Sequence, residues 1–104
     1  MQPVLITTTT GSKEEAAKIS RLLVESKIAA CVNIVGPITS IYTWQDKITE
    51  DIEFKLFIKT FKEKWKDVKN LIKENHSYSV PEISMIEIHD MQPDYLTWMR
   101  DIIK

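Results

Sequence analysis

Cysteine is almost absent from this chain, since Cys31 is the only one among its 104 residues. A single cysteine excludes an internal disulfide framework and suggests a reducing compartment. The N-terminal segment has no basic region and no apolar run long enough for a signal peptide. No stretch approaches the roughly 18 apolar residues of a membrane span. We therefore expect a cytoplasmic protein without a membrane partner.

An excess of charge of either sign is also missing, because the formal net charge is −1 at pH 7. Nothing in this balance attracts the chain to the phosphates of nucleic acids or to anionic lipid, so we expect no nucleic-acid partner. Hydrophobic residues make up 43% and charged residues 28%, which is typical of a folded protein. With no linker or low-complexity tract, the length predicts a single domain over residues 1–104.

The sequence motifs of structural zinc sites, acylphosphatases, copper chaperones and RNA-binding domains are missing as well. The sequence has no C-x-x-C, no H-x₃₋₅-H and no H-E-x-x-H, so a preformed structural zinc site is not expected. The segment TTTTGS lacks the arginine of acylphosphatase-type enzymes, and the first loop lacks a copper chaperone's cysteine pair. No strand has the glycines of an RNA-binding RNP motif. Since no nucleophile–base pair can be assembled either, we expect a non-enzyme.

The first third of the chain predicts a strand followed by a helix. Residues 4–10 are rich in β-branched side chains and end at Gly11, which is typical of a strand. Ser12 and Glu15 then have the spacing of a capping box, in which each side chain bonds the other's backbone N–H. Apolar residues recur at helical spacing from there to about Lys27.

Two long apolar segments predict a hairpin. Residues 29–44 form an unusually long second strand, interrupted at Gly36-Pro37 by a bulge or bend. Residues 52–60 alternate as a third strand, with one apolar face and one face that we expect to be charged and solvated. The apolar face holds Ile52, Phe54, Leu56 and Ile58, and the other face holds Glu53, Lys55, Phe57 and Lys59.

The last part predicts a helix, a strand and a terminal helix. Thr60 and Glu63 repeat the capping-box spacing before a helix that ends near Asn75. Residues 82–88 predict the fourth strand, and Pro93 suits the first turn of the last helix. The order β-α-β-β-α-β predicts an α+β fold, the ferredoxin-like sandwich, with an extra C-terminal helix and a long hairpin between the second and third strands.

The second strand is too long for the domain that it belongs to. At about 3.3 Å per residue, sixteen residues would span roughly 50 Å, whereas a domain of this size has a radius of gyration of about 13 Å. The tip of the hairpin carries Ile41, Tyr42 and Trp44, which are unfavourable to leave in water. An exposed apolar strand edge invites pairing, so we expect an oligomer built from sheet edges. The alternative is that the terminal helix covers this surface.

Nearly the whole chain resembles the CutA family, which is named for divalent-cation tolerance. The matching segments are Ala30-Cys31-Val32-Asn33-Ile34 (ACVN-type), Ser40-Ile41-Tyr42 with Trp44 (SxYxW), Glu53, Leu56, Ile58, Lys59 and Thr60 (ExxLxIKT), Tyr95, Leu96 and Trp98 (YLxW), and residues 76–83 (HPYEVPEI). The chain departs from the family pattern at Ser77, Ser79 and Asp46, where proline, glutamate and a hairpin glycine are usual.

The resemblance implies a homotrimer in which the long hairpin reaches onto a neighbouring subunit. It also implies a role in tolerance to divalent cations such as copper. A similarity of fold and trimer to the nitrogen-regulatory PII proteins implies an alternative, a signalling module that binds a small anionic ligand between subunits.

Three residues are candidate metal ligands, and each also has a structural interpretation. Cys31 is either a small buried side chain or a soft ligand for Cu(I) or Zn(II). His76 either closes the end of a helix or gives a neutral imidazole to Cu(II). Glu82 carries a carboxylate that can pair with a lysine or accept from His76. His89-Asp90 is a further nitrogen and oxygen pair or a solvated turn. Because Ser79 replaces a glutamate, we expect any copper to bind weakly.

Aromatic residues and one lysine are candidates for a ligand cleft and an oligomer interface. Lys59, just before a helix, could hold an anion with the backbone N–H groups there. Tyr42, Trp44 and Tyr78 are most often core or interface residues, yet they could wall a small-molecule cleft between subunits. The predicted interface consists of Ile41, Tyr42, Trp44 and Trp98.

Overall fold

The computed structural model, described here over residues 1–103, contains four strands and three helices in the predicted order. They are β1 (Pro3–Thr10), α1 (Lys13–Glu25), β2 (Cys31–Trp44), β3 (Lys47–Phe61), α2 (Trp65–Asn75), β4 (Ile83–Glu87) and α3 (Pro93–Ile102). The strands form one sheet in the order β2-β3-β1-β4, and every neighbouring pair is antiparallel. This is the predicted ferredoxin-like α+β fold, and the C-terminal helix is present.

The main core lies between one face of the sheet and helices α1 and α2. Val4 and Ile6 of β1 and Leu56 and Ile58 of β3 are fully buried there, as the alternation of strand side chains requires. The helices contribute Ile19, Leu23, Val68 and Ile72. Each such side chain stabilises the fold by about 1.5–3 kcal/mol through burial alone.

A smaller core packs α3 against the end of the sheet where β2 begins and β3 ends. Phe61 ends β3 and is fully buried, as is Met99 of α3, and the buried Ala30 and Ile103 lie with them while Leu96 packs against the cluster. Leu96 and Met99 therefore form the inward face of α3. The helix does not cover the hairpin tip, where Ile41 is 66% and Trp44 is 52% exposed. The alternative in which α3 masks the long strand is wrong.

The β2–β3 hairpin extends beyond the part of the sheet that α1 and α2 cover. Its ladder runs from the Cys31–Lys59 pair to the Trp44–Lys47 pair, and its register shifts between Val35 and Ile38. The predicted irregularity at Gly36-Pro37 is confirmed, and this peptide bond is cis. The strand β3 begins five residues earlier than its sequence pattern predicts, because pairing with β2 holds the polar segment 47–51 extended. The molecule measures 45 × 25 × 22 Å as a result.

The second predicted capping box is not formed. The Thr60 hydroxyl donates to the carbonyl oxygen of Ile28 at 2.7 Å, so it is not available to cap α2. One turn of 3₁₀ helix, Lys62–Lys64, follows the strand, and α2 begins only at Trp65 without a side-chain cap. The prediction of a helix cap at Thr60 is wrong, because the spacing of residues does not show which way a side chain points. The Thr60 side chain lies buried beneath the loop before β2.

Two buried threonines of β1 provide a matched stability test. Within residues 1–103, the Thr8 hydroxyl is fully buried without a hydrogen-bond partner, whereas the Thr10 hydroxyl donates to the carbonyl oxygen of Ser12 at 2.8 Å. We expect Thr8→Val to raise the free energy of unfolding by about 1 kcal/mol, since it removes an unsatisfied polar group at constant shape.

Thr10→Val should lower the free energy of unfolding by about 1 kcal/mol, because it removes a bond that is made. Chemical denaturation of both variants at one protein concentration measures the two changes. Equal losses for the two variants would show that the Thr8 hydroxyl has a partner in the folded protein.

Candidate functional site

A cavity of about 500 Å³ lies between the outer half of the hairpin and the loop that joins α2 to β4. It opens on the sheet face opposite α1 and α2, because Glu53 and Lys55 alternate with the core residue Leu56 along β3. Its aromatic and charged lining residues are Tyr42, Trp44, Glu53, Lys55, Tyr78 and Glu82. Three separate parts of the sequence therefore meet at one site.

His76 anchors the loop at one end of the cavity. Its side chain is fully buried, and its Nε2 lies 2.8 Å from the carbonyl oxygen of Thr9. Its Nδ1 accepts the backbone N–H of Tyr78 at 3.0 Å, so the ring proton belongs on Nε2 and the imidazole is neutral. The nearby Glu15 carboxylate, 3.9 Å from Nδ1, is therefore not an ion-pair partner.

Glu15 holds the same loop from the other side. Its carboxylate accepts from the backbone N–H of Ser77 at 2.8 Å and from the Ser77 hydroxyl at 3.1 Å. Only half of the predicted capping box at Ser12 is observed, since the Ser12 hydroxyl accepts the backbone N–H of Glu15 at 3.1 Å. The Glu15 side chain bonds the loop instead. Both nitrogens of His76 and both oxygens of Glu15 thus fix the position of Tyr78.

Tyr78 reaches across the cavity to Glu53 of β3. Its hydroxyl donates to a carboxylate oxygen of Glu53 at 2.7 Å. Burial raises the pKa of the Tyr78 hydroxyl far above its ordinary value, and the hydrogen bond to Glu53 and that group's charge raise the pKa further. Gly11 lets the ring lie close to the backbone, because a Cβ there would lie 3.0 Å from the Tyr78 hydroxyl oxygen.

Glu53 is buried, although the strand pattern predicts it on a solvated charged face. It is only 7% exposed, so that prediction is wrong. No lysine, arginine or histidine among residues 1–103 forms a salt bridge with it. The error arose because strand alternation shows which face a side chain lies on, but not that a distant loop covers that face. Its match to the family's strand motif was the only signal in the sequence.

Glu82 forms a hydrogen-bonded network along the cavity wall. It accepts from Lys55 at 3.0 Å, from the Ser84 hydroxyl at 3.0 Å, and from Thr9 and Thr7 at 3.3 and 3.4 Å. Burial disfavours its charged form, but the hydrogen bonds from Lys55 and Ser84 and the charge of Lys55 outweigh burial and hold the pKa of Glu82 below its ordinary value. Glu82 and Lys55 therefore neutralise each other, as the lysine-pairing interpretation of Glu82 expects.

The outer wall of the cavity is aromatic. The Tyr42 hydroxyl donates to the Asp51 carboxylate on the paired strand. That hydrogen bond raises the pKa of Tyr42, with smaller contributions from burial and from the charges of Asp51 and Glu53. Trp44 stands next along the same face of β2, and its ring is half exposed. The predicted cleft residues Tyr42, Trp44 and Tyr78 thus line one cavity.

Lys59 and Trp98, which were predicted for the cleft and the interface, lie away from this cavity. Lys59 donates to the Asn33 side-chain oxygen at 2.9 Å, and its ammonium group lies 5.8 Å from the centre of the Tyr95 ring. The Trp98 ring packs beside Tyr95 on α3 at 5.2 Å between ring centres.

The three predicted metal ligands do not converge. Cys31 begins β2 opposite Lys59, and its Sγ lies 3.9 Å from the Asn33 side-chain oxygen. His76 lies beneath the loop with both nitrogens bonded, and Glu82 is paired with Lys55. Over residues 1–103, no group of three or more His, Cys, Asp and Glu residues is placed to hold a metal ion. A metal site within one chain would need a rearrangement of these contacts.

Comparison with known proteins identifies the family. The family model described as CutA1 divalent ion tolerance protein matches residues 4–102. The chain belongs to the CutA family. The divalent-cation tolerance protein CutA of Thermus thermophilus is 43% identical over 93 residues, which cover 89% of this chain and 90% of that protein. The resemblance seen in the sequence motifs is thereby confirmed.

Solved CutA structures have the same fold. CutA1 from Oryza sativa superposes with a TM-score of 0.97 at 32% identity, covering all of this chain and 95% of that one. A CutA from Archaeoglobus fulgidus, named a periplasmic divalent cation tolerance protein, gives a TM-score of 0.95 at 38% identity over 98% of this chain and 99% of its own. The cytoplasmic location expected for the present protein therefore stays a prediction. No helix within residues 1–103 has the length and apolar character to cross a membrane.

The Lys55–Glu82 pair predicts a pH-dependent contribution to stability. Because the pKa of Glu82 is lowered by folding, its ionised form stabilises the protein above the ordinary value of 4.5, and this stabilisation is lost as the pH falls through the lowered value. We expect Glu82→Gln to lower the free energy of unfolding at pH 7 by about 1 kcal/mol or less, since both side chains of the pair are partly exposed to solvent, which screens the interaction.

Chemical denaturation across the acidic range tests this dependence. The difference between wild type and Glu82→Gln should shrink steadily below pH 4.5. Glu87→Gln is the matched control, because Glu87 pairs with Lys62 at 2.9 Å with both side chains more than half exposed. It should leave the free energy of unfolding nearly unchanged, because the pair is exposed to solvent. If the difference in the free energy of unfolding between wild type and Glu82→Gln does not change with pH, the charge of Glu82 does not stabilise the folded protein.

Proposed function

We propose that this CutA protein acts in divalent-cation tolerance as a homotrimer whose subunits join through the β2–β3 hairpin. The supporting observation is the apolar surface that the hairpin leaves bare in a single chain. Within the outer half of the hairpin, Ile41 is 66%, Ile48 is 83% and Ile52 is 59% exposed on one face, and Trp44 is 52% exposed on the other. Large exposed apolar side chains on a strand pair are typical of a protein–protein interface.

The position of β2 in the sheet supports the same proposal. It pairs only with β3, so one edge of a fourteen-residue strand carries unpaired backbone groups. Natural proteins cover or shorten such edges, because they otherwise recruit other chains without control. A closed ring of three subunits, as the family resemblance implies, would cover each hairpin with its neighbour.

We further propose that divalent metal, copper included, binds weakly. Both ring nitrogens of His76 are bonded, Nε2 to the Thr9 carbonyl oxygen of β1 and Nδ1 to the Tyr78 N–H of the loop. Cys31 lies at the start of β2, far from the hairpin tip, and Glu82 is neutralised by Lys55. Copper would therefore have to displace an existing bond or find its ligands across a subunit boundary. The alternative proposal, a signalling module that binds a small anion, has less support, because Lys59 lies outside the cavity.

Substitution at the hairpin tip tests the assembly. Trp44→Asp should weaken the trimer, because it places a charge in a surface that is buried on association. Light scattering on a sizing column should give three times the 12.1 kDa chain mass for wild type and a smaller mass for the variant. Val24→Asp is the matched control, because Val24 is an exposed apolar residue of α1. A wild-type protein that is monomeric at micromolar concentration would refute the proposed trimer.

Calorimetric titration tests the copper proposal. We expect a Kd of micromolar or poorer at pH 7.5, which corresponds to about 8 kcal/mol or less. Binding should be weaker at pH 5.5, because an imidazole ligand must lose its proton to bind. Titration of His76→Ala and Cys31→Ala, with folding checked by circular dichroism, shows which candidate contributes. Nanomolar binding at pH 7.5 would contradict a weak, open site.

A further inference from the structure

We propose that the cavity between the hairpin and the 76–82 loop binds a small organic cation of the alkylammonium class. Glu53 would serve as its counter-ion, and the rings of Tyr42, Trp44 and Tyr78 would form its walls. This site concerns a different ligand from copper and does not rest on the proposed metal binding. It rests on the proposed trimer to the extent that the assembly must leave the cavity face of Tyr42 and Trp44 open.

The first support is the charge inside the cavity. Its lining contains the carboxylates of Glu53 and Glu82 and the ammonium group of Lys55. Lys55 and Glu82 are paired at 3.0 Å, so the charge that is left belongs to Glu53. This carboxylate is 7% exposed and receives a hydrogen bond from the neutral Tyr78 hydroxyl. A buried charge is costly unless an opposite charge accompanies it, so the cavity favours a cation and disfavours an anion.

The second support is the nature of the walls. Tyr42, Trp44 and Tyr78 line the cavity together with the aliphatic side chains of Ile38 and Val80. Aromatic faces attract cations, and such cages are the usual protein site for alkylated ammonium groups. A metal ion is matched less well, because no group of three or more His, Cys, Asp and Glu residues within 1–103 is placed to hold one. An ammonium group with apolar substituents matches both the carboxylate and the rings.

The third support is that the site is already held in shape. His76 and Glu15 fix the loop, Tyr78 is bonded to Glu53, and Tyr42 is bonded to Asp51. The walls therefore need little ordering when a ligand enters, which lowers the free-energy cost of binding. A volume of about 500 Å³ lies within the range of small-molecule sites.

The decisive probe is choline, compared with its neutral carbon isostere dimethylbutanol, which has the same shape without the charge. The full-length protein is titrated with each compound, and the indole N–H resonance of Trp44 is followed by NMR, with that of Trp65 on α2 as an internal reference. We expect choline to shift the Trp44 signal saturably, with the isostere at least about tenfold weaker, since it lacks the charge that Glu53 attracts.

Glu53→Gln should weaken choline binding at least about tenfold, because it removes the counter-ion and keeps the side-chain shape. Glu50→Gln, an exposed glutamate on the same strand, is the matched control and should leave choline binding unchanged. Thermal melts check that both variants fold. If Glu53→Gln does not fold, the titration of the wild-type protein with choline and with its isostere still tests whether the cavity prefers a cation.

Three results would overturn the proposal. Equal binding of choline and dimethylbutanol would show that the cavity recognises apolar shape alone. A saturable shift of Trp44 with inorganic phosphate but not with choline would show an anion site. No shift with any probe would show that the cavity does not bind a small cation in the assembled protein. A sizing-column mass and a copper titration on the same sample report separately on the trimer and the metal.

Discussion

The pairing of β2 with β3 continues well beyond the region where helices cover the sheet, and most other features of the molecule depend on this. The ladder runs to the Trp44–Lys47 pair, whereas the buried residues of β3 begin only at Glu53. Beyond that point no helix within residues 1–103 covers the strands, so Ile41, Ile48 and Ile52 remain exposed in a single chain. The proposed trimer is the simplest way in which the family could bury this surface.

The same extension creates the cavity. The outer half of the hairpin forms one wall, and the loop after α2 forms the opposite wall. Tyr78 spans the gap to Glu53 at 2.7 Å, so a hydrogen bond joins a loop residue and a strand residue that are 25 positions apart in the sequence. His76, a candidate metal ligand by its sequence, contributes by holding that loop with both ring nitrogens. The chemistry of the site therefore comes from a carboxylate and aromatic rings more than from metal-binding side chains.

Much of the fold could be predicted from the sequence, because strands and helices leave periodic patterns. The β-branched run of β1, the alternation at 52–58 and the helical spacing before Lys27 all correspond to observed elements. The capping box predicted at Thr60 is not formed, because a threonine hydroxyl can equally bond a distant carbonyl oxygen such as that of Ile28. The early part of β3, from Lys47, was missed because cross-strand pairing rather than propensity holds it extended.

The site was less predictable, because it depends on contacts between segments far apart in the chain. Family motifs pointed to Tyr42, Trp44 and Tyr78, and these residues do share a cavity. They also pointed to Lys59, which lies elsewhere beside Asn33. The burial of Glu53 could not be predicted from its own strand, since the side chain that covers it comes from the 76–82 loop.

Amide hydrogen exchange along residues 38–44 tests most directly whether other copies of the chain cover the hairpin. In a single chain, β2 pairs only with β3, so alternate N–H groups of this segment point away from the sheet into water. If a neighbouring subunit covers the edge, these outward N–H groups should exchange as slowly as those bonded to β3. Fast exchange at the outward positions, with slow exchange at the bonded ones, would show that the edge is free and would contradict the proposed assembly.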